Sequence, residues 1–225
     1  SSVTQFDNDG ERGGGWDHDL LRDETYASIL ADAHAGKYDA VMVAFPCSTF
    51  SISRFFDAST SDGADEGPPI IRTKAHPDGL PEGDIDPKHI RELKMSNLLL
   101  ARAVAVAVAA RNSPKRAAVI FENPADRSIE GSVAYAPEFA NHGSVFATSA
   151  FKRLQARADL NFSATFASCR LGSDYQKYTT LYYTPEAAAL LDALDGPEYK
   201  CNHPRGTHSK QAGGRSGDEG AFASS

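Results

Sequence analysis

Apolar residues fall along this chain in two rhythms, short unbroken runs and longer stretches with one apolar face. Residues 39–45 (Asp-Ala-Val-Met-Val-Ala-Phe) and 117–122 (Ala-Ala-Val-Ile-Phe-Glu) are unbroken runs bounded by turn residues, as expected of strands covered on both faces. Residues 23–35 set Tyr26, Ile29, Leu30 and Ala33 on one helical face, and Gly36 is placed to stop that helix. Asp86 followed by Pro87 reads as an N-cap and first-turn proline, and Pro114 closes a helix of about 25 residues. The Ala/Val alternation over 103–110 also suits a strand, but alanine content, length and caps favour helix. Further on, 148–158 reads as helix, 161–168 and 180–183 as strands, and 185–194 as helix. Residues 3–6 are β-prone and run into Asp7 and a glycine-rich stretch, the pattern of a strand that ends on an acid.

This alternation of strands and helices predicts an α/β fold, a mostly parallel sheet with helices on both faces and ligands at the strand carboxyl ends. Residues 57–86, broken by Gly63, Gly67, Gly79, Gly83 and several prolines, read as a long loop insertion. One domain over 1–200 is expected, followed by a flexible tail over 201–225 rich in Gly and Ser.

Composition narrows the class. Hydrophobic residues at 41% and charged residues at 24% suit a globular chain rather than a disordered one. The longest apolar run, 103–110, is far below the roughly 20 residues that cross a bilayer, so no membrane partner is expected. Three scattered cysteines suit a reducing compartment, hence an intracellular protein, nuclear or cytoplasmic. A net charge of −7 opposes non-specific attraction to phosphate, although Arg102, Arg111, Lys115 and Arg116 could line a local groove. The alternative for that cluster is a solvated helix end.

In the expected sheet Asp7, Cys47 and Glu122 all fall at or just past strand ends. A cysteine held after proline in a turn can be a nucleophile, and a buried carboxyl beside it can act as acid or bind a ring nitrogen. The plain alternatives are an inert half-buried thiol and an acid that supports a helix start. Cys201, His203 and His208 form the pattern of a metal half-site; with Cys169 as a distant fourth ligand it would suit structural zinc, otherwise it is a polar loop.

The segment ending Phe45-Pro46-Cys47-Ser48 resembles the catalytic segment of the cytosine-5 DNA methyltransferases, with Phe45 where a first proline is usual. Phe121-Glu122-Asn123-Pro124 resembles that family's Glu-Asn segment, in the form of phage-type and algal or dinoflagellate retroelement-associated relatives. Residues 169–183 are similar to a later segment, with Gly172 retained and Lys177 and Thr179 at its two arginine positions. The resemblance implies a Rossmann-like methyltransferase sheet, incomplete at its amino end because a Phe-x-Gly-x-Gly segment is missing ahead of Val3. It implies S-adenosylmethionine as cofactor and DNA as partner. Cys47 and Glu122 would be catalytic with Pro46 and Asn123, Asp7, Asp19 and Phe45 would contact the cofactor, and Ser48, Lys177 and Thr179 the substrate. Such relatives often carry a Cys-x-His tail.

Two readings follow. One is a DNA (cytosine-5)-methyltransferase domain working through a Cys47 adduct. The other is a catalytically inactive module of the same fold within a mobile-element or viral polyprotein. A cysteine hydrolase using His89 or His142 is a third class, without supporting spacing.

Overall fold

The computed structural model describes residues 2–7, 9–12, 14–55, 68–204 and 207–208. Among the described residues there are four α-helices, α1 (Asp23–His34), α2 (Pro87–Arg111), α3 (Ser149–Ala158) and α4 (Pro185–Leu191), and four strands, β1 (Ala40–Ala44), β2 (Ala118–Pro124), β3 (Phe162–Ala167) and β4 (Tyr178–Tyr183). Local chemistry accounts for their limits. Asp86 caps α2 by accepting from the Lys88 N–H at 3.0 Å, with Pro87 in the first turn. Thr148 caps α3 through the Phe151 N–H, and Asp159 ends it in the left-handed conformation at φ 55°.

The strands form one sheet in the order β1-β2-β4-β3. β1 and β2 are parallel, with Ala44 opposite Glu122, whereas β4 runs antiparallel to both β2 and β3. The fold is therefore α/β with a mixed sheet, and the expected predominance of parallel pairing does not hold. The reason is that β4 is inserted reversed between β2 and β3, so three strands point one way but only one pair is parallel. The short connection of residues 168–177 returns the chain directly as an antiparallel neighbour, which a parallel crossover could not do at that length.

Helices lie on both faces. On one, α2 and α3 bury Val43, Val119 and Phe121 against Leu100, Val104, Phe151 and Leu154. Phe151 stands at the centre of an aromatic group, its ring centroid 5.1 Å from Phe121, 5.1 Å from Phe146 and 4.9 Å from Tyr182. On the other face α4 covers Ala164, Leu181 and Tyr183 but does not reach β1, where Met42 stays 62% exposed. α1 packs beside α2 through Ile29, Ala33, Val106 and Ala110. α2 is long and apolar enough to cross a membrane by length and composition, a property missed when only residues 103–110 are counted. Its buried positions pack against α1, α3 and the sheet, the arrangement of a core helix.

Residues 3–6 do not form the expected strand. Val3 is 95% exposed, and Phe6 instead packs beside α1 and edge-on to His18. Asp7 therefore ends a loop segment rather than a strand. In the long insertion, 57–67 lies outside the described residues. Residues 68–86 are irregular but anchored by buried Ile71, Arg72 and Ile85. Most of the expected flexible tail is also outside the described residues, but its start packs back on the domain, with the Cys201 N–H donating to the Tyr178 hydroxyl at 3.1 Å.

Candidate functional site

Three chain segments meet at one end of the sheet. β1 ends at Ala44 and turns through Phe45, Pro46 and Cys47 into a 3₁₀ turn (Ser48–Phe50), closed by Phe50 N–H donating to the Cys47 carbonyl at 2.8 Å. β2 ends on Glu122, Asn123 and Pro124. β4 runs the other way, so its beginning, with Lys177 just ahead of Tyr178, lies beside the end of β2. The register thus brings Cys47, Glu122 and Lys177 to one sheet edge. Asn123 is 1% exposed and ties the two parallel strands together, its Nδ2 donating to the Phe45 carbonyl at 3.1 Å. Its Oδ1 is buried without a hydrogen-bond partner.

The electrostatics of these groups are linked. Burial pushes the Cys47 thiol above its ordinary range; the Lys177 ammonium pulls it down and the Glu122 carboxylate pushes it up further. Burial likewise raises Glu122, against the opposing pull of Lys177. The resting thiol is accordingly held protonated, and the carboxyl is biased toward the form that donates a hydrogen bond.

Buried polar side chains that sequence reasoning missed hold the Cys47 loop. Arg54 donates from Nε to the Ser48 carbonyl and from Nη1 to the Pro69 carbonyl, both at 2.8 Å, and pairs with Glu92. Arg72, pulled down to about 10 by burial, donates to Thr49 Oγ1, Asn97 Oδ1 and the Pro77 carbonyl, and its guanidinium lies 4.0 Å from the Phe50 ring centre. His142 lies 2.7 Å from the Phe50 carbonyl through Nε2 and 3.3 Å from the Arg127 N–H through Nδ1, with Asp126 Oδ1 3.8 Å from that same nitrogen. Isolated arginines in a loop carry no periodic signal, which is why they are unreadable before folding. Of the two histidines a hydrolase would use, His142 bonds the Phe50 carbonyl and the Arg127 N–H with Asp126 Oδ1 3.8 Å away, and His89 lies 3.2 Å from Glu92, so neither is shown in contact with Cys47.

A cleft of about 200 Å³ opens beside this loop, lined by Phe45, Pro46, Ser48, Thr49, Leu99 and residues of the first half of α2, with Leu21 opposite. Of the expected cofactor contacts only Phe45 lines it. Asp19 lies two residues from Leu21, its Oδ1 accepting the Leu21 N–H at 2.8 Å; Asp7 Oδ1 similarly accepts the Asp9 N–H at 3.0 Å. Both acids thus stabilise their own turns. The Asp7 loop is tight: a Cβ at Gly14 would stand 1.7 Å from the Asp7 carbonyl oxygen, so glycine is required. Of the expected substrate contacts Ser48 is exposed and Lys177 half-buried, whereas Thr179 is a buried ladder residue paired with Pro124 and Phe166; Pro46, expected beside the catalytic Cys47, is exposed.

The basic cluster is charge-compensated. Arg111 is buried and bonds Glu186 at 2.7 Å, Lys115 pairs with Asp39, Arg116 approaches Asp159, and Arg102 pairs with Asp23. Arg102 and Arg111 tie α2 to Asp23 of α1 and Glu186 of α4, and Lys115 and Arg116, just past its end, face Asp39 and Asp159. Elsewhere, Cys169 joins Cys201, His203 and His208 in a group whose ligand atoms all lie within 4.8 Å of one another, a set that could hold a metal ion.

Comparison with protein-family models, with curated proteins and with solved structures finds no match, so any kinship of this chain rests on its three sequence segments and on the site they build.

Proposed function

We propose that the chain is a DNA (cytosine-5)-methyltransferase-like domain that acts through Cys47. The observation that carries this reading is the meeting of Cys47, Glu122 and Lys177 at one sheet edge, from segments 75 and 55 residues apart in sequence. In this reading the Cys47 thiol gives its proton to water and the thiolate adds to C6 of a cytosine lifted from its stack, while Glu122, as the acid, donates a hydrogen bond to ring N3. The electron pair of the C5–C6 bond makes C5 the nucleophile that would take the methyl group, the donor leaving as a neutral thioether; water then accepts the C5 proton as the S–C6 bond breaks, and the released thiolate is reprotonated. S-adenosylmethionine supplies the methyl group when bound. Phe45, Pro46 and Leu99 offer it an apolar wall, but the cleft is smaller than the roughly 300–1,000 Å³ of typical small-molecule sites, so it fits such a cofactor only in part. Lys177 is suited to a backbone phosphate of the DNA and to lowering the thiol pKa. An intracellular setting follows from this substrate.

The second reading, a catalytically silent module of a longer polyprotein, draws on other observations: the raised thiol, the small cleft and the compensated basic cluster. Titration calorimetry with S-adenosylmethionine, together with DNA carrying 5-fluorocytosine, separates the two. Fluorine at C5 cannot leave as a proton, so an active enzyme accumulates a covalent DNA adduct that maps to Cys47 and vanishes in Cys47→Ala. A folded chain that shows neither cofactor heat nor adduct supports the silent module and refutes the enzyme.

A further inference from the structure

We propose that Cys169, Cys201, His203 and His208 bind a single zinc ion that pins the carboxyl-terminal segment to the start of β4. The four ligands come from two places, Cys169 in the 3₁₀ turn (Ser168–Leu171) that follows β3, and the other three from residues 201–208. The fold alone brings them together, since Cys169 precedes Cys201 by 32 residues.

Two of the ligand pairs already have the spacing of a tetrahedral centre, and all four ligand atoms lie within 4.8 Å of one another. With Zn–S near 2.3 Å and Zn–N near 2.0–2.1 Å, tetrahedral angles put neighbouring sulfur and nitrogen ligands about 3.5 Å apart. Cys201 Sγ lies 3.5 Å from His203 Nδ1 and 3.5 Å from His208 Nε2. The two imidazole rings stand at 83° with centroids 4.9 Å apart, so each directs a nitrogen inward instead of stacking on the other. Hydrogen bonding alone offers this group only weak contacts: Cys201 Sγ would give its S–H to one imidazole and accept an N–H from the other, sulfur being a poor acceptor, with the Cys169 thiol beside it. A cation at the centre satisfies both sulfurs as thiolates and both rings as neutral ligands.

The surroundings tie this centre to the sheet. Ser168, next to Cys169, donates from both its N–H and its hydroxyl to the Lys177 carbonyl, at 2.9 and 3.0 Å. The Cys201 N–H binds the Tyr178 hydroxyl, and Arg170 bridges to the Glu198 carbonyl and to Asn202 Oδ1. Zinc here would close residues 169–177 as a loop against the tail and fix the backbone from which Lys177 reaches the candidate site. This role is structural, because all four coordination positions come from the protein.

The test uses the full 225-residue chain. Elemental analysis after dialysis is expected to give one zinc per chain. Replacement by cobalt(II) should produce intense tetrahedral d–d bands and thiolate-to-metal charge transfer. Cys201→Ser and His208→Ala should each reduce retained zinc at least tenfold, Cys47→Ser should not, and a strong chelator should lower the melting temperature of the parent chain and of Cys47→Ser but not of the two ligand variants. Should either variant fail to fold, the cobalt spectrum of the parent decides. A folded parent with no zinc and no thiolate–cobalt band overturns the proposal, as does a Cys169–Cys201 disulfide in the unreduced mass, or zinc retained in full by folded Cys201→Ser.

Discussion

Asn123 offers a direct test of how the two parallel strands are joined beneath Cys47. Its side chain is 1% exposed, Nδ2 donates to the Phe45 carbonyl, and Oδ1 has no partner. Asn123→Ala removes the donor and leaves a dry carbonyl, a loss of roughly 1–3 kcal/mol, partly offset by removing the orphaned Oδ1. A net loss of about 1–2 kcal/mol is expected, or a fall in melting temperature of about 2–8 °C for a chain of this size. Asn123→Asp keeps the shape but reverses the chemistry: an ionised carboxylate faces the carbonyl oxygen, whereas a protonated one can donate to it. Its folded pKa must rise above the unfolded value near 3.9. The stabilisation from the protonated form is then complete below about pH 4 and is lost as pH climbs through the folded pKa. Each unit of that rise costs about 1.4 kcal/mol above it, so a rise of two to three units costs about 3–4 kcal/mol at pH 8. Urea unfolding of both variants at pH 5 and pH 8 measures the effect. Neighbouring Glu122, itself raised by burial, titrates in both variants and largely cancels from the comparison. Asn123→Asp should be the less stable variant at pH 8 and should close the gap at pH 5. A difference that is absent at pH 8, or the same at both pH values, would refute the buried donor.

Other substitutions probe the site and its frame. Glu122→Gln removes an upward influence on the Cys47 thiol and should speed iodoacetamide labelling of Cys47 near pH 8; Lys177→Met should slow it. Peptide mass spectrometry reads both rates, and unchanged rates would mean the three groups are not neighbours. Glu186 is held down to about 2 by its hydrogen bond to Arg111, so its contribution is present above the unfolded pKa and lost as pH falls from about 4.3 toward 2. Because the carboxylate side chain is 47% exposed, screening limits that contribution to about 1 kcal/mol, and Glu186→Gln should flatten the acid limb of the stability–pH curve by that amount. Phe121→Ala, which removes a fully buried ring packed on Phe151 on the α2 and α3 face, should destabilise by about 3–5 kcal/mol in urea unfolding.

The chain's own pattern determined much of the framework. Apolar runs, helical faces and caps are local signals, so β1, β2 and all four helices stand within a few residues of where periodicity and capping put them, and the Pro46-Cys47 and Glu122-Asn123 turns stand at strand ends as expected. Residues 3–6 show the limit of that logic: β propensity alone makes no strand without a neighbour to share its hydrogen bonds. Tertiary structure alone decided the reversed entry of β4, which sets Lys177 beside Glu122, because strand order is a choice among pairings that local sequence does not encode. It also decided that Arg54, Arg72 and His142 brace the Cys47 loop, that Arg102 and Arg111 of α2 pair with Asp23 and Glu186, and that Cys169 meets a tail 32 residues away. Each of these depends on side chains distant in sequence becoming close in space, where burial makes an unpartnered polar atom costly.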